Sequence, residues 1–200
     1  MRFLPLLLCI FSILLILEGC SKDSEKLVLI TEHPSGLHNQ GEFYRYNKIE
    51  NIGTYETGPI TIEVEMAETI KGSMDEDIPS YDTDEFKDME IINVQLKFSL
   101  NEEIEDNLNF SNHENMHIVT DTDEMINQPD QSLSSMIDMP ILKNAQQFHA
   151  DPYSRYFMFQ LKESTAQEIK KATLLIDAPL DSEGNEAGED LEIEIDFSKD

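Results

Sequence analysis

Two histidines spaced around a glutamate are the feature of this sequence best suited to chemistry. His113, Glu114 and His117 match the pattern H-E-x-x-H, in which two histidines bind zinc and the glutamate acts as general base. That chemistry needs a helix, because only a helix brings imidazoles at positions i and i+4 onto one metal ion. If the stretch were helical, the chain would be a zinc peptidase with His113 and His117 as metal ligands.

The residues around this motif favour a turn that leads into a strand. Residues 107–115 are rich in asparagine, which is a poor residue for a helix interior, and residues 118–120 are β-branched. In an extended chain, His113 and His117 would lie about 13 Å apart, too far to share one ion. No third ligand follows at the spacing found in zinc peptidases. We therefore predict no catalytic residue and no metal site, with the zinc peptidase as the alternative.

Acidic clusters suggest a second kind of site, in which carboxylates bind calcium. Residues 181–186 are similar to a calcium loop, but Gly184 is fourth in the run where an EF-hand loop has glycine sixth. Residues 75–88 and 121–124 form two further acidic runs. Such runs are most often solvated surface, so we predict no cofactor and keep a calcium-dependent adhesion module as another alternative.

The charge of the chain excludes a large class of partners. Its 200 residues carry 41 Asp+Glu against 14 Lys+Arg, a formal net charge of -27. A protein this acidic cannot displace counterions from a phosphate backbone, so nucleic acid is excluded as a general partner. Because 40% of the residues are hydrophobic, we still expect a folded core rather than a disordered acidic chain.

The N-terminus has the pattern of an export signal. Arg2 precedes an apolar run over residues 3–17, which is shorter than the roughly 20 residues that a membrane-spanning helix needs. This pattern is typical of a signal peptide. The run ends in the tetrapeptide Leu17-Glu18-Gly19-Cys20, after which the sequence becomes polar.

This tetrapeptide resembles the bacterial lipobox, although Glu18 stands where that motif has a small or aliphatic residue. The resemblance implies cleavage after residue 19, transfer of diacylglycerol to the Cys20 thiol and acylation of the new amino terminus. The protein would then sit at the outer face of the bacterial cytoplasmic membrane, held by two or three acyl chains. Cys9 would leave with the signal peptide, so the mature chain could form no disulfide.

Alternating apolar and polar residues predict an all-β domain over residues 43–200, after a signal peptide at 1–19 and a lipidated N-terminal segment at 20–42. A helix is predicted at residues 164–171, where Ser164 or Thr165 can cap it and Gln167 or Glu168 can close a capping box. Long polar loops are predicted at 72–88 and 127–150. The predicted strands are residues 43–49, 60–66, 92–100, 116–120, 156–161, 172–176 and 191–197. Alternation predicts a shared apolar face for Ile60, Ile62, Val64 and Met66, and likewise for Ile92, Val94, Leu96, Phe98 and Leu100. Amphipathic strands must cover their apolar faces, so we predict an antiparallel β-sandwich of the immunoglobulin-like type.

Three segments are similar to a family of uncharacterised Gram-positive envelope lipoproteins: residues 51–60, 118–122 and 168–179. The resemblance implies an immunoglobulin-like domain and an envelope location, and it brings no catalytic residues. We therefore expect a lipid-anchored, non-enzymatic binding module whose partner is the membrane through its anchor and an unknown envelope protein.

Overall fold

The computed structural model describes residues 27–31, 41–74, 86–101, 108–149 and 152–199. The predicted signal peptide, Cys20 and the greater part of the predicted acidic loop at 72–88 lie outside the described residues. Within the described residues the chain forms nine strands and two short helices. The elements are β1 (Val28–Leu29), β2 (Gly41–Thr57), β3 (Ile60–Met74), β4 (Met89–Leu100), α1 (Asn112–Asn115), β5 (Met116–Thr120), β6 (Met125–Ile126), α2 (Met139–Gln147), β7 (Tyr153–Leu161), β8 (Lys171–Ile176) and β9 (Leu191–Asp196).

The strands form two antiparallel sheets, which confirms the predicted all-β class. One sheet has the order β1-β2-β3-β4-β7, and the other has the order β6-β5-β8-β9. Both sheets contribute to one main core, in which the rings of Phe98 and Phe157 pack edge to face with centroids 5.9 Å apart. The opposite sheet adds fully buried side chains such as Ile118, Leu174 and Ile195. The sheets therefore bury their apolar faces against each other, as the alternating pattern predicts.

A bulge in β3 changes one predicted core position. Ile60, Ile62 and Val64 are completely buried in the main core, as their alternation predicts. The register with β4 then shifts between Val64 and Met66. An extra residue in one strand reverses which face the following side chains occupy. The prediction that Met66 shares the face of Ile62 is therefore wrong, and Ala67 takes its place in the core.

The outer face of the five-stranded sheet carries a second, smaller core. Ile70 and Ile91 are paired across β3 and β4 on this face, and both are completely buried. Phe43 joins them from β2, and Ile30, which follows β1, is only 3% exposed. Residues of the predicted N-terminal segment therefore pack on the sheet rather than standing apart from it.

The helix predicted at residues 164–171 is wrong. Its capping signal acts locally, because the Thr165 N–H donates to Glu168 Oε2 at 3.1 Å. Carboxylates from another part of the chain, Glu124 and Asp121, accept from backbone amides at the two ends of this stretch. Its last residue then begins β8. Tertiary hydrogen bonds thus outweigh a weak local helix preference.

A helix forms instead where the sequence predicts a polar loop at residues 127–150. The Asp138 side chain accepts from the Ile141 N–H at 2.8 Å, and a proline stands in the first turn of α2. Both features are typical of a helix N-terminus. The buried residues recur every three positions: Met139, Leu142 and Ala145.

Candidate functional site

The histidine motif is divided between two elements. His113 lies in α1, a single helical turn, whereas His117 lies in β5, which begins directly after that turn. The structure therefore lacks the continuous helix that would place both imidazoles on one face. His113 Nδ1 is buried and has no hydrogen-bond partner within the part of the chain that the structure describes.

Asparagines around the motif hold the turn in place. Asn112 and Asn115 are 0% and 7% exposed. Asn112 Oδ1 accepts from the Ile137 N–H at 3.0 Å, and Asn115 Oδ1 accepts from the Ser111 N–H at 2.9 Å. These asparagines are poor helix formers, and here their side chains satisfy backbone groups that would otherwise be buried without partners.

His117 is hydrogen-bonded through both of its ring nitrogens. Nε2 lies 2.9 Å from Asp177 Oδ2, and Nδ1 lies 2.6 Å from the backbone oxygen of Asn127. The carboxylate and the carbonyl contact the ring from both sides and fix its orientation. Asp177 follows β8 and Asn127 follows β6, so His117 joins the ends of two strands.

The hydrogen-bonded pair of His117 and Asp177 borders a small acidic cleft of about 310 Å³. The cleft is lined by Asp177 together with Glu114, Glu186 and Asp190. Three of these carboxylates have partners. Asp177 pairs with His117, Asp190 Oδ1 accepts from a backbone amide at 2.8 Å, and Glu114 Oε2 accepts from Asn109 Nδ2 at 3.5 Å. Across the residues that the structure describes, no three His, Cys, Asp or Glu side chains gather in a way that could hold a metal ion.

The acidic run at residues 181–186 uses its first carboxylate to close a turn. Asp181 Oδ1 accepts from the backbone amides of Glu183 and Asn185, each at 2.8 Å. Hydrogen bonds, first from the Asn185 side chain and then from its backbone, lower the pKa of Asp181. This arrangement is typical of an aspartate that closes its own turn. Gly184 is at φ 84°, a conformation that favours glycine.

A larger open cleft of about 630 Å³ lies at one edge of the sandwich. One wall is formed by the turn before β6, the two residues of β6 and the segment that follows them. The other wall is formed by the last part of β7 and the turn after β7. The lining residues are Asp123, Glu124, Met125, Ile126, Asn127, Gln128, Pro129, Asp130, Gln131, Gln160, Lys162 and Glu163. Asp123 and Glu124, from the acidic run at 121–124, line this cleft beside Met125, which is 55% exposed.

Glu124 ties the two walls of this cleft together. Its carboxylate accepts from the backbone N–H groups of Lys162, Glu163 and Ser164 at 2.6, 3.1 and 2.8 Å, and the residue is only 6% exposed. Burial raises the pKa of Glu124, but the amide donors outweigh burial and hold it below its ordinary value. The sequence placed Glu124 in a solvated acidic run, because no local pattern reveals its distant partners.

A polar network on the outer face of the five-stranded sheet is a second set of interacting residues that the sequence did not predict. Glu68 is completely buried, and it accepts from Arg45 Nε at 2.6 Å and from Asn93 Nδ2 at 2.8 Å. Burial, followed by the charges of Glu68 and Glu65, raises the pKa of the Tyr156 hydroxyl to about 12. Removing one partner from this buried network would leave an uncompensated charge, which would destabilise the fold.

Comparison of the chain with protein-family models, with curated proteins and with solved structures yields no match. Neither helix in the described ranges is long and apolar enough to cross a membrane. The functional interpretation therefore rests on the residues and the geometry of this chain itself.

Proposed function

We propose that the chain is a lipid-anchored, non-enzymatic binding module at the outer face of a bacterial cytoplasmic membrane. The observation that carries this proposal is the position of Cys20, directly after an apolar run over residues 3–17 and the tetrapeptide that ends it. A cysteine there would be lipidated where the apolar segment meets water. Two or three acyl chains would hold the folded domain stably at the surface.

An immunoglobulin-like topology is part of this proposal. In an immunoglobulin sandwich, strands A, B and E are neighbours in one sheet, and strands C, F and G are neighbours in the other. The orders β3-β4-β7 and β5-β8-β9 have the same neighbours in the same chain sequence. β6 lies beside β5, as a C′ strand does, while β1 and β2 extend the first sheet beyond strand A.

A binding role is supported by the way this chain uses its polar groups. His117, Glu124 and Asp181 all hold backbone segments, and each has hydrogen-bond partners that fix its position. The two clefts, in contrast, are open and lined by amide and carboxylate side chains. Openness and polar lining suit recognition of a partner at the surface of the domain.

The anchor can be tested by comparing the two cysteines of the chain. Wild type and the matched control Cys9→Ala should both be lipidated and should fractionate with membranes. Cys20→Ala should carry no lipid and should be either released or retained as the full-length precursor. A Cys20→Ala protein that still carries diacylglycerol, or a wild type without lipid, would exclude this anchor.

A further inference from the structure

The larger cleft exposes an unpaired backbone position on β7. Asp130 N–H donates to Met158 O at 2.8 Å, and Ser135 N–H donates to Tyr156 O at 3.0 Å, so both of these β7 carbonyls point away from β4. In an antiparallel pair, alternate residues of a strand point the same way. Gln160 therefore also directs its N–H and C=O away from β4 and towards the cleft that it lines.

The neighbours of Gln160 on this edge are covered, whereas Gln160 itself is not. The segment after β6 covers Tyr156 and Met158, and the Glu124 carboxylate accepts from the Lys162 N–H. Apart from the ladder with β4, no hydrogen bond from any residue that the structure describes reaches the backbone of Gln160. The gap is one residue long and lies in the wall of a cleft of about 630 Å³.

The opposite wall of the cleft, formed by β6, also directs backbone groups into the cleft. The Thr120 N–H donates to Glu124 O at 3.0 Å, which makes these two residues a hydrogen-bonded pair of the hairpin. Met125 is the next residue, opposite Val119. By alternation its N–H and C=O point away from β5, towards the cleft. Edge strands that present free backbone groups are places where an extended chain can add.

The charge of the cleft selects among possible occupants. Four carboxylates line it, Asp123, Glu124, Asp130 and Glu163, against the single ammonium group of Lys162. A second copy of this chain would bring another net charge of -27 and would be repelled. A segment that carries lysine or arginine would be attracted. The exposed Met125 side chain adds an adaptable apolar contact at the rim.

We propose that this cleft binds a short, extended, basic segment of a partner polypeptide. Main-chain hydrogen bonds to Gln160 hold the segment, and the acidic rim selects its charge. This inference rests on the proposed function. It deepens that function because it names the class of partner that the binding module takes.

The test uses the full lipidated chain in detergent micelles and a fluorescent peptide of about ten alternating lysine and threonine residues, which favours an extended conformation. We expect saturable binding, and slower hydrogen exchange of the Gln160 amide when the peptide is bound. A peptide of the same sequence that is N-methylated at alternate residues cannot complete the main-chain bonds. It should bind about tenfold more weakly, as expected for the loss of one or two hydrogen bonds.

Two charge reversals separate local from general electrostatics. Glu163→Lys, in the cleft wall, should weaken binding several-fold. Glu183→Lys changes the net charge equally but lies in the turn closed by Asp181, outside the residues that line the cleft, and should leave binding nearly unchanged. The proposal would be overturned if the two variants had equal effects or if the N-methylated peptide bound equally well. It would also be overturned by the absence of saturable binding, or by a second copy of the chain occupying the cleft. Failure of the anchor would appear instead as absent lipid, with peptide binding preserved.

Discussion

His117 Nε2 lies 2.9 Å from Asp177 Oδ2, and this contact connects the walls of two clefts of the molecule. Asp177 lines the smaller acidic cleft, and Asn127, which accepts from the other ring nitrogen of His117, lines the larger one. His117, the second histidine of the H-E-x-x-H motif, therefore acts as a structural clamp between the two cleft walls.

The clamp should be visible as an energetic coupling between its two side chains. We expect His117→Gln and Asp177→Asn each to lower the free energy of unfolding by about 1 kcal/mol, since the pair is partly exposed. The double variant should be less destabilised than the sum of the two. Urea denaturation of all four proteins measures this coupling. Strict additivity would show that the two side chains do not interact in solution.

Glu124 should be among the most sensitive acidic residues of the described chain. Glu124→Gln replaces a buried carboxylate that accepts three amide donors, and should lower the free energy of unfolding by about 2 kcal/mol or more. The exposed neighbour Glu163→Gln is the matched control and should change stability by less than about 0.5 kcal/mol. Equal effects in urea denaturation would argue against the anchoring role of Glu124.

The contribution of Glu124 should also depend on pH in a defined direction. Because its pKa is lower in the folded state, its charge stabilises the fold fully above the ordinary glutamate value of 4.5. That contribution is lost as the pH falls from 4.5 through the folded pKa. The stability difference between wild type and Glu124→Gln should therefore shrink over this range. A difference that stays constant down to the acid transition would contradict the lowered pKa.

Tyr156 should titrate as an unusually weak acid. Its pKa of about 12 means that the folded protein keeps the hydroxyl protonated while an unfolded chain ionises at 10.0. Stability is therefore fully present below pH 10 and declines as the pH rises towards 12. Ultraviolet titration should show a tyrosinate component near pH 12 that is absent in Tyr156→Phe and kept in Tyr153→Phe. Loss of that component in Tyr153→Phe instead would assign it to Tyr153 and contradict the raised pKa of Tyr156.

The N-terminus of α2 should depend on a single side chain. Asp138→Ala removes the acceptor for the Ile141 N–H and should cost about 1 kcal/mol of unfolding free energy. Asp138→Ser keeps an oxygen at the cap position and should recover most of that loss. Thermal unfolding of the two variants measures the difference. Serine and alanine variants of equal stability would show that the cap contributes nothing.

Period-two patterns predict the strands well, because side-chain alternation is a local property of the backbone. Ile92 to Leu100 in β4 all face as predicted, since no bulge interrupts that register. In β3 the bulge before Met66 reverses the pattern, and nothing in the alternation itself marks where an extra residue enters. Register shifts depend on the partner strand, so they are not encoded in one strand alone.

The candidate sites are harder to predict, because their partners are distant in sequence. Glu124 meets amides about forty positions later in the chain, and His117 meets Asp177 sixty positions away. The capping signal at Thr165 is real, yet carboxylates from elsewhere redirect the chain that follows it. Within the predicted loop, the N-cap residue Asp138 and the apolar spacing that follows it are the sequence features that indicate helix α2.

Intact mass spectrometry of the protein isolated from its native membrane tests the proposed lipid anchor most directly. We predict a chain that begins at Cys20 and carries diacylglycerol on the sulfur, with or without a further acyl group on its amino terminus. A mass equal to the unmodified chain with residues 1–19 still attached would contradict the proposed anchor and the location that follows from it.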